Sequence, residues 1–175
     1  CTSMTDLRKL ATERPNPRSA KLDRVSTRRL LEIINAEDRG VPRAVARCIP
    51  RIAKVIAAVH PRLKAGGRLF YIGSGTSGRL GCLDASEMPP TYGVPPGLVQ
   101  GIMAGGTAAL TKSKEGAEDD GRAGVSDIRA RKVGPRDAVI GLSASGRARY
   151  VREALKEARR RGAFTACITC NPNSE

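Results

Sequence analysis

Tryptophan is absent from this chain, and aromatic residues make up only 3% of it. The core must therefore come from Val, Ile, Leu and Ala, and the stacking platform that single-stranded nucleic acid uses is missing. Histidine occurs once, as His60 beside Pro61 at a helix end, where a surface or capping role fits better than catalysis. The 175 residues hold no apolar run long enough to cross a bilayer and no signal-peptide pattern, so no membrane partner is expected. Acidic residues are scarce, 17 against 31 Lys and Arg, for a net charge of +14. Such an excess favours anionic partners. The arginines, however, are scattered from Arg8 to Arg161, and the clusters Arg28-Arg29 and Arg159-Arg160-Arg161 sit on amphipathic patterns. A solvated, Arg-rich surface is the favoured reading, and nucleic acid is not an expected partner.

The five cysteines are odd in number and lack a disulfide-framework spacing. Cys167 and Cys170 form a C-x-x-C, but they fall on a predicted strand, where residues three apart face opposite ways. That makes a poor metal or redox site. Buried, reduced thiols are expected instead, with no metal and a cytoplasmic setting.

Residues 1–24 are polar, basic and broken by prolines, and read as an extended arm. Residues 25–66 read as helices that pack on the following domain or on a dimer partner. Ser26 can cap the first, which carries Leu30, Leu31, Ile33 and Ile34. A second helix is expected near Pro42 and a third after Pro50, with Ile52, Val55, Ile56 and Val59 on one stripe. From residue 67 strands and helices alternate. Strands are expected at 68–72, 98–104, 137–142 and 163–170, and helices at 77–85, about 107–118, and 149–161. Met88-Pro89-Pro90 is expected to end the first of these helices. This alternation predicts an α/β fold, a parallel open sheet with flanking helices and right-handed crossovers. The chain opens on Cys1 and stops at Asn173-Ser174-Glu175, just after a strand, and reads as a fragment cut at least at its C-terminus.

Two loops carry the chemistry. Gly73-Ser74-Gly75-Thr76-Ser77-Gly78-Arg79 follows the first strand and opens a helix, and Ser143-Ala144-Ser145-Gly146-Arg147 follows a later one. Backbone amides at such a turn, with the positive end of the helix dipole, suit a phosphate. Gly73, Gly75 and Gly78 match G-x-G-x-x-G, yet no acid ends the second strand as a dinucleotide site requires. A Walker loop is excluded because Arg79-Leu80 stands where Lys-Ser/Thr is needed. Hydroxyls among amides point to a phosphomonoester on a small molecule. A single turn of this kind is usually only a capped turn. Two on one sheet edge favour a ligand site.

Around these loops the chain resembles the N-acetylmuramic acid 6-phosphate etherases, whose domain is similar to the sugar isomerase (SIS) family of phosphosugar binders. The matching stretches are Gly73–Arg79, Leu83–Gly93 (LDASEMPPTYG), Glu115–Asp119 (EGAED), Ala144–Arg147 and Cys170–Pro172, with Thr12-Glu13 and Leu22–Thr27 upstream. The resemblance implies a SIS-type domain with flavodoxin-like layers over residues 67–175. It also implies loss of D-lactate from the sugar by elimination and then hydration, with no cofactor, and a homodimer. It places the proton-donor glutamate on Glu87 and the second catalytic glutamate on Glu118. The acid role asks for burial of Glu87, since burial raises a carboxyl pKa. Phosphate and sugar binding fall on Ser74, Gly75, Thr76 and Ser77 in the first loop, and on Ser143, Ser145, Gly146 and Arg147 in the second. The chain departs from the family pattern at Ser74 (usually Ala), Thr107 (frequently Glu), Ala148-Arg149 (usually Thr-Pro) and Asn173 (frequently Gly). Ala148 removes a hydroxyl expected near the phosphate, while Ser143 and Arg149 offer a donor and a charge in its place. A non-catalytic sugar-phosphate sensor of the glucokinase-regulator type is the main rival. An aldose–ketose isomerase of the same fold is disfavoured by the DASE-x-PP segment.

Overall fold

The structure, a computed structural model, describes residues 10–171. Four strands form one parallel sheet in the order β2-β1-β3-β4: β1 (Leu69–Gly73), β2 (Val99–Met103), β3 (Ala138–Leu142) and β4 (Phe164–Ile168). The chain leaves β1 for β2 on one side and returns to place β3 on the other. Strand order therefore reverses between β1 and β3, the position where open α/β sheets hold ligands. Gly73 is paired with Leu142 in the register, so the loops after β1 and β3 leave the sheet side by side.

The described residues also form five α-helices: α1 (Thr27–Asp38), α2 (Gly40–Lys64), α3 (Gly75–Tyr92), α4 (Gly121–Ala130) and α5 (Arg149–Arg160). The chain divides into two units within α2, between Ile56 and Ala57. In the first unit the expected arm, from residue 10 onward, is a series of single 3-10 turns. Ser26 caps α1 as expected, its Oγ accepting from the Arg29 amide at 3.3 Å. No side chain from 10 to 56 is buried, and Leu31, Ile34, Val41, Val45, Ile49, Ile52 and Ile56 are exposed. The arm before residue 10 and the turn at Pro172–Glu175 lie outside the described residues.

Several expected boundaries are corrected. One helix, α2, replaces the two predicted around Pro50. Pro42 lies in its first turn, where its amide would be free anyway. The apolar spacing Val45, Ile49, Ile52, Ile56 stays in phase across Pro50, so that proline removes one hydrogen bond without ending the stripe. Likewise α3 runs through Pro89 and Pro90 to Tyr92, because both fall in its last turn. It closes at Gly93 (φ +63°), whose amide donates to the Pro89 carbonyl at 2.9 Å. The helix expected over 107–118 is only a 3-10 turn, Thr107–Leu110. A helix absent from the sequence reading, α4, follows instead. Its glycines hide it from propensity, yet a Cβ at Gly124 would lie 2.2 Å from the Tyr150 carbonyl oxygen, so close packing on α5 demands that glycine. The thiols are a further correction. Cys167 and Cys170 are exposed because the edge strand β4 leaves its end uncovered, Cys48 is exposed on α2, and Cys82 on α3 is half-buried.

Helices α3 and α5 cover opposite faces of the sheet. Gly81 of α3 lies against Tyr71 and Leu142, whereas the neighbouring Gly141 meets Val151 and Leu155 of α5. Phe70, Ile72, Val139, Ile128, Tyr150, Val151 and Ala154 form the core on the α5 side. The fully buried Tyr150 donates its hydroxyl to Asp127 Oδ2 at 2.5 Å, tying α5 to α4.

Asp137 locks the start of β3 to the start of β1. Its carboxylate accepts from the Arg68 amide (2.9 Å), Arg68 Nε (3.2 Å), Arg68 Nη2 (2.8 Å) and the Gly134 amide (2.9 Å). Burial opposes its ionisation, but these bonds prevail and hold the carboxyl below its usual range. Hydrogen bonds from Arg160 and Arg129 push Glu157 from 4.5 down to about 2. Both groups are stronger acids folded than unfolded, so their contribution is complete above the ordinary carboxylate range and fades as pH falls through the folded values. The melting temperature is therefore expected to drop as pH is lowered from 4.5 towards about 2. Asp137→Ala should cost about 2–3 kcal/mol near neutral pH and weaken that acid dependence. Equal melting of variant and parent across the range would contradict this.

Candidate functional site

The first loop is a strand end pressed against a helix start. A Cβ at Gly73 would lie 2.7 Å from the Gly78 backbone, and one at Gly78 would lie 2.5 Å from Met103 Sδ. Only paired glycines allow this approach, which holds the first turn of α3 over the C-terminal edge of the sheet. Ser74 stands at the N-cap in extended backbone, and its side chain makes no capping hydrogen bond. The amides of the first turn have no partner within the helix. Thr76 and Gly75 are exposed, Ser74 and Ser77 half-buried. Arg79 turns away from this loop. Its Nε and Nη2 donate to the Leu110 and Ala109 carbonyls, each at 2.9 Å, and fix the turn after β2.

The second loop is built as a tight turn around Gly146 (φ +70°), a conformation that favours glycine. Ser143 is buried, and its Oγ accepts from the Gly146 amide at 3.1 Å. Ser145 Oγ accepts from the Arg147 amide at 3.2 Å. Both hydroxyls act as acceptors in these bonds, which leaves their protons uncommitted to the turn. Arg147 has a buried Nη1 with no hydrogen-bond partner among the described residues. Ala148 is the N-cap of α5 and offers the helix no side-chain bond, so the hydroxyl that the family pattern would place there is missing.

The end of β4 braces this loop, a role the sequence reading did not assign. The Ala144 carbonyl accepts from the Cys170 amide (2.9 Å) and from Thr169 Oγ1 (3.2 Å), and the buried Asn171 donates Nδ2 to the Ser145 carbonyl at 3.1 Å. Polar residues placed directly after an apolar strand, at the edge where the loops emerge, are the signal that would have identified them.

The two glutamates are placed differently. The Glu118 carbonyl accepts from the Tyr150 amide at 2.9 Å, which holds Glu118 at the N-terminus of α5 beside the second loop. Glu87 lies on α3, twelve residues beyond Gly75, and so about 18 Å along the helix axis from the first loop. Its side chain is exposed rather than buried, because it projects from the face of α3 opposite the sheet-facing Gly78, Gly81 and Ala85. Glu118 is exposed as well. His60 is exposed within α2, away from any terminal cap. Among the described residues no cluster of His, Cys, Asp and Glu could hold a metal, and no helix is long and apolar enough to cross a membrane.

The sequence and the fold are similar to those of known proteins. The chain is 53% identical over 168 residues to the N-acetylmuramic acid 6-phosphate etherase of Rubrobacter xylanophilus, covering 96% of this chain and 56% of the relative. It is 52% identical over 169 residues to the etherase of Symbiobacterium thermophilum, covering 97% and 56%. The chain thus spans about half the length of the curated relatives it matches. Its fold is similar to that of a phosphoheptose isomerase from Francisella tularensis, with a TM-score of 0.62 and 19% identity over 79% of this chain and 74% of the other. A second phosphoheptose isomerase, from Neisseria gonorrhoeae, gives a TM-score of 0.55 over 80% and 75%. Residues 51–159 match the model of the glucokinase regulatory protein N-terminal SIS domain, and the chain belongs to that SIS family.

Proposed function

We propose that this protein acts as an N-acetylmuramic acid 6-phosphate etherase, a carbon–oxygen lyase. It converts its substrate and water to N-acetylglucosamine 6-phosphate and D-lactate. The observation that carries this reading is the juxtaposition of two hydroxyl-bearing turns after β1 and β3 in a chain 52–53% identical to relatives named for that activity. The turns would bind the 6-phosphate through the first-turn amides of α3, through Thr76 and Ser77, and through the hydroxyl protons of Ser143 and Ser145. Arg147 adds a cation whose Nη1 is unpaired among the described residues. Ser74, Gly75 and Gly146 shape the two turns.

In the reaction a base takes the proton from C2 while an acid protonates the ether oxygen, so that lactate leaves from C3. Water then adds across the new double bond. Glu87 and Glu118 supply the acid and the base, and the chemistry needs no metal or organic cofactor. We place the protein in the cytoplasm, where charged sugar phosphates are retained, in recycling of cell-wall amino sugars. We also expect it to work as a homodimer. A non-catalytic sensor of sugar phosphates is the second reading, favoured by the regulatory protein whose domain model the chain matches.

Incubation with N-acetylmuramic acid 6-phosphate, with D-lactate measured enzymatically, tests the reading. Lactate release is expected, reduced at least about 100-fold by Glu87→Gln and by Glu118→Gln. Tight binding of the sugar phosphate without lactate release would favour the sensor. Asn171→Ala should raise KM about tenfold, since it removes one bond worth about 1–2 kcal/mol from the brace of the second loop, and should leave kcat near the parent value. An unchanged KM would show that the brace does not support binding.

A further inference from the structure

Helices α4 and α5 border a groove of about 440 Å³. Arg122, Ser126 and Arg129 line it from α4 at steps of four and three residues, with the half-buried Val125 beside them. Arg149 and Glu153 line it from α5, one turn apart. The two helices come together here because Gly121 has no side chain. A Cβ at that position would lie 2.8 Å from Glu153 Cγ. The volume is that of a small-molecule site rather than a bed for a protein segment.

The charges in this groove do not cancel. Arg129 is paired with Glu157 (Nε to Oε1, 2.9 Å), and Glu153 is paired with Lys156 (Oε1 to Nζ, 2.8 Å). Asp120, just before Gly121, accepts the Ala123 amide on Oδ1 at 2.9 Å as the cap of α4. Arg122 and Arg149 are exposed, and their side chains make no ion pair and no hydrogen bond among the described residues. Two uncommitted guanidinium groups, one from each wall, ask for a ligand with two negative charges close together. A phosphate supplies both charges in one group, and its oxygens match the forked N–H donors of arginine in pairs. The groove shares no residue with the turns after β1 and β3. Arg149 also stands where the family usually has Pro, so this charge belongs to the present chain and not to the family's common site. We propose that the groove between α4 and α5 binds a small phosphate-bearing anion, clamped between Arg122 and Arg149, with the Ser126 hydroxyl as a further donor. This second anion site is independent of the etherase reading.

Calorimetry with inorganic pyrophosphate tests the proposal on the whole chain. Binding is expected in the presence of saturating N-acetylglucosamine 6-phosphate, which competes for the two turns. It is also expected in a Ser77→Ala/Ser145→Ala variant, in which the turns are weakened. Arg122→Ala and Arg149→Ala together are expected to weaken it at least about tenfold, with unchanged circular dichroism because both side chains are exposed. Arg149→Pro is expected to weaken it in the same direction, since residue 149 is the first of α5, a position that accepts proline. Pyrophosphate binding that the sugar phosphate abolishes, or that is equal in the parent and the double arginine variant, would overturn the proposal. A glutamate-rich peptide that binds more tightly than pyrophosphate, and loses binding in the same arginine variant, would overturn it in favour of an acidic protein partner. A sugar phosphate that does not bind at all would fail the etherase reading, while the serine variant would still decide the groove.

Discussion

Everything at this site depends on β1 and β3 being direct parallel neighbours. Because Gly73 and Leu142 share a register position, the two serine-bearing turns emerge next to each other, roughly one strand spacing of about 4.8 Å apart. A one-residue slip would reverse the faces of every β3 side chain and separate the turns. The register is held from the opposite end of the strands, where the Asp137 carboxylate gathers the amide and guanidinium of Arg68 and the amide of Gly134. It is held from above by β4, whose final residues bond the Ala144 and Ser145 carbonyls. The chemistry at one edge of the sheet is thus fixed by an ion pair at the other edge and by a brace from the next strand.

The helices assign the remaining parts. Helix α3 sets its N-terminus at the sheet edge where the two turns emerge and then carries Glu87 away from it. Helix α5 gives the Tyr150 amide to the Glu118 carbonyl, and Tyr150 in turn anchors α4 through Asp127. Glu118 is therefore held by a backbone bond to α5, and Glu87 projects from the exposed face of α3.

Much of this was legible in the sequence. The short apolar runs identified all four strands to within a few residues, and the hydroxyl-bearing loops after two of them emerge side by side at one edge. Proline was misleading, since Pro50 and the pair Pro89-Pro90 read as helix ends. A proline near a terminus or on an unbroken amphipathic stripe removes few bonds. Glycine misled in the opposite sense. No helix was expected over 121–130, where Gly121 and Gly124 lower helix propensity, but the close approach of α4 to Tyr150 requires a glycine at 124. The buried Asn171 and the outward turn of Arg79 depend on contacts between distant segments, which no local pattern encodes. The separation of Glu87 from the loops followed from helix length, which was underestimated because the prolines were given too much weight.

The most direct test is a crystal structure of the protein with N-acetylglucosamine 6-phosphate bound. The phosphate is expected within hydrogen-bond distance of Thr76 or Ser77 and of Ser143 or Ser145, with a Glu118 and a Glu87 flanking the sugar at C2 and C3. A phosphate bound away from both turns, or a sugar that no Glu87 approaches, would contradict the account.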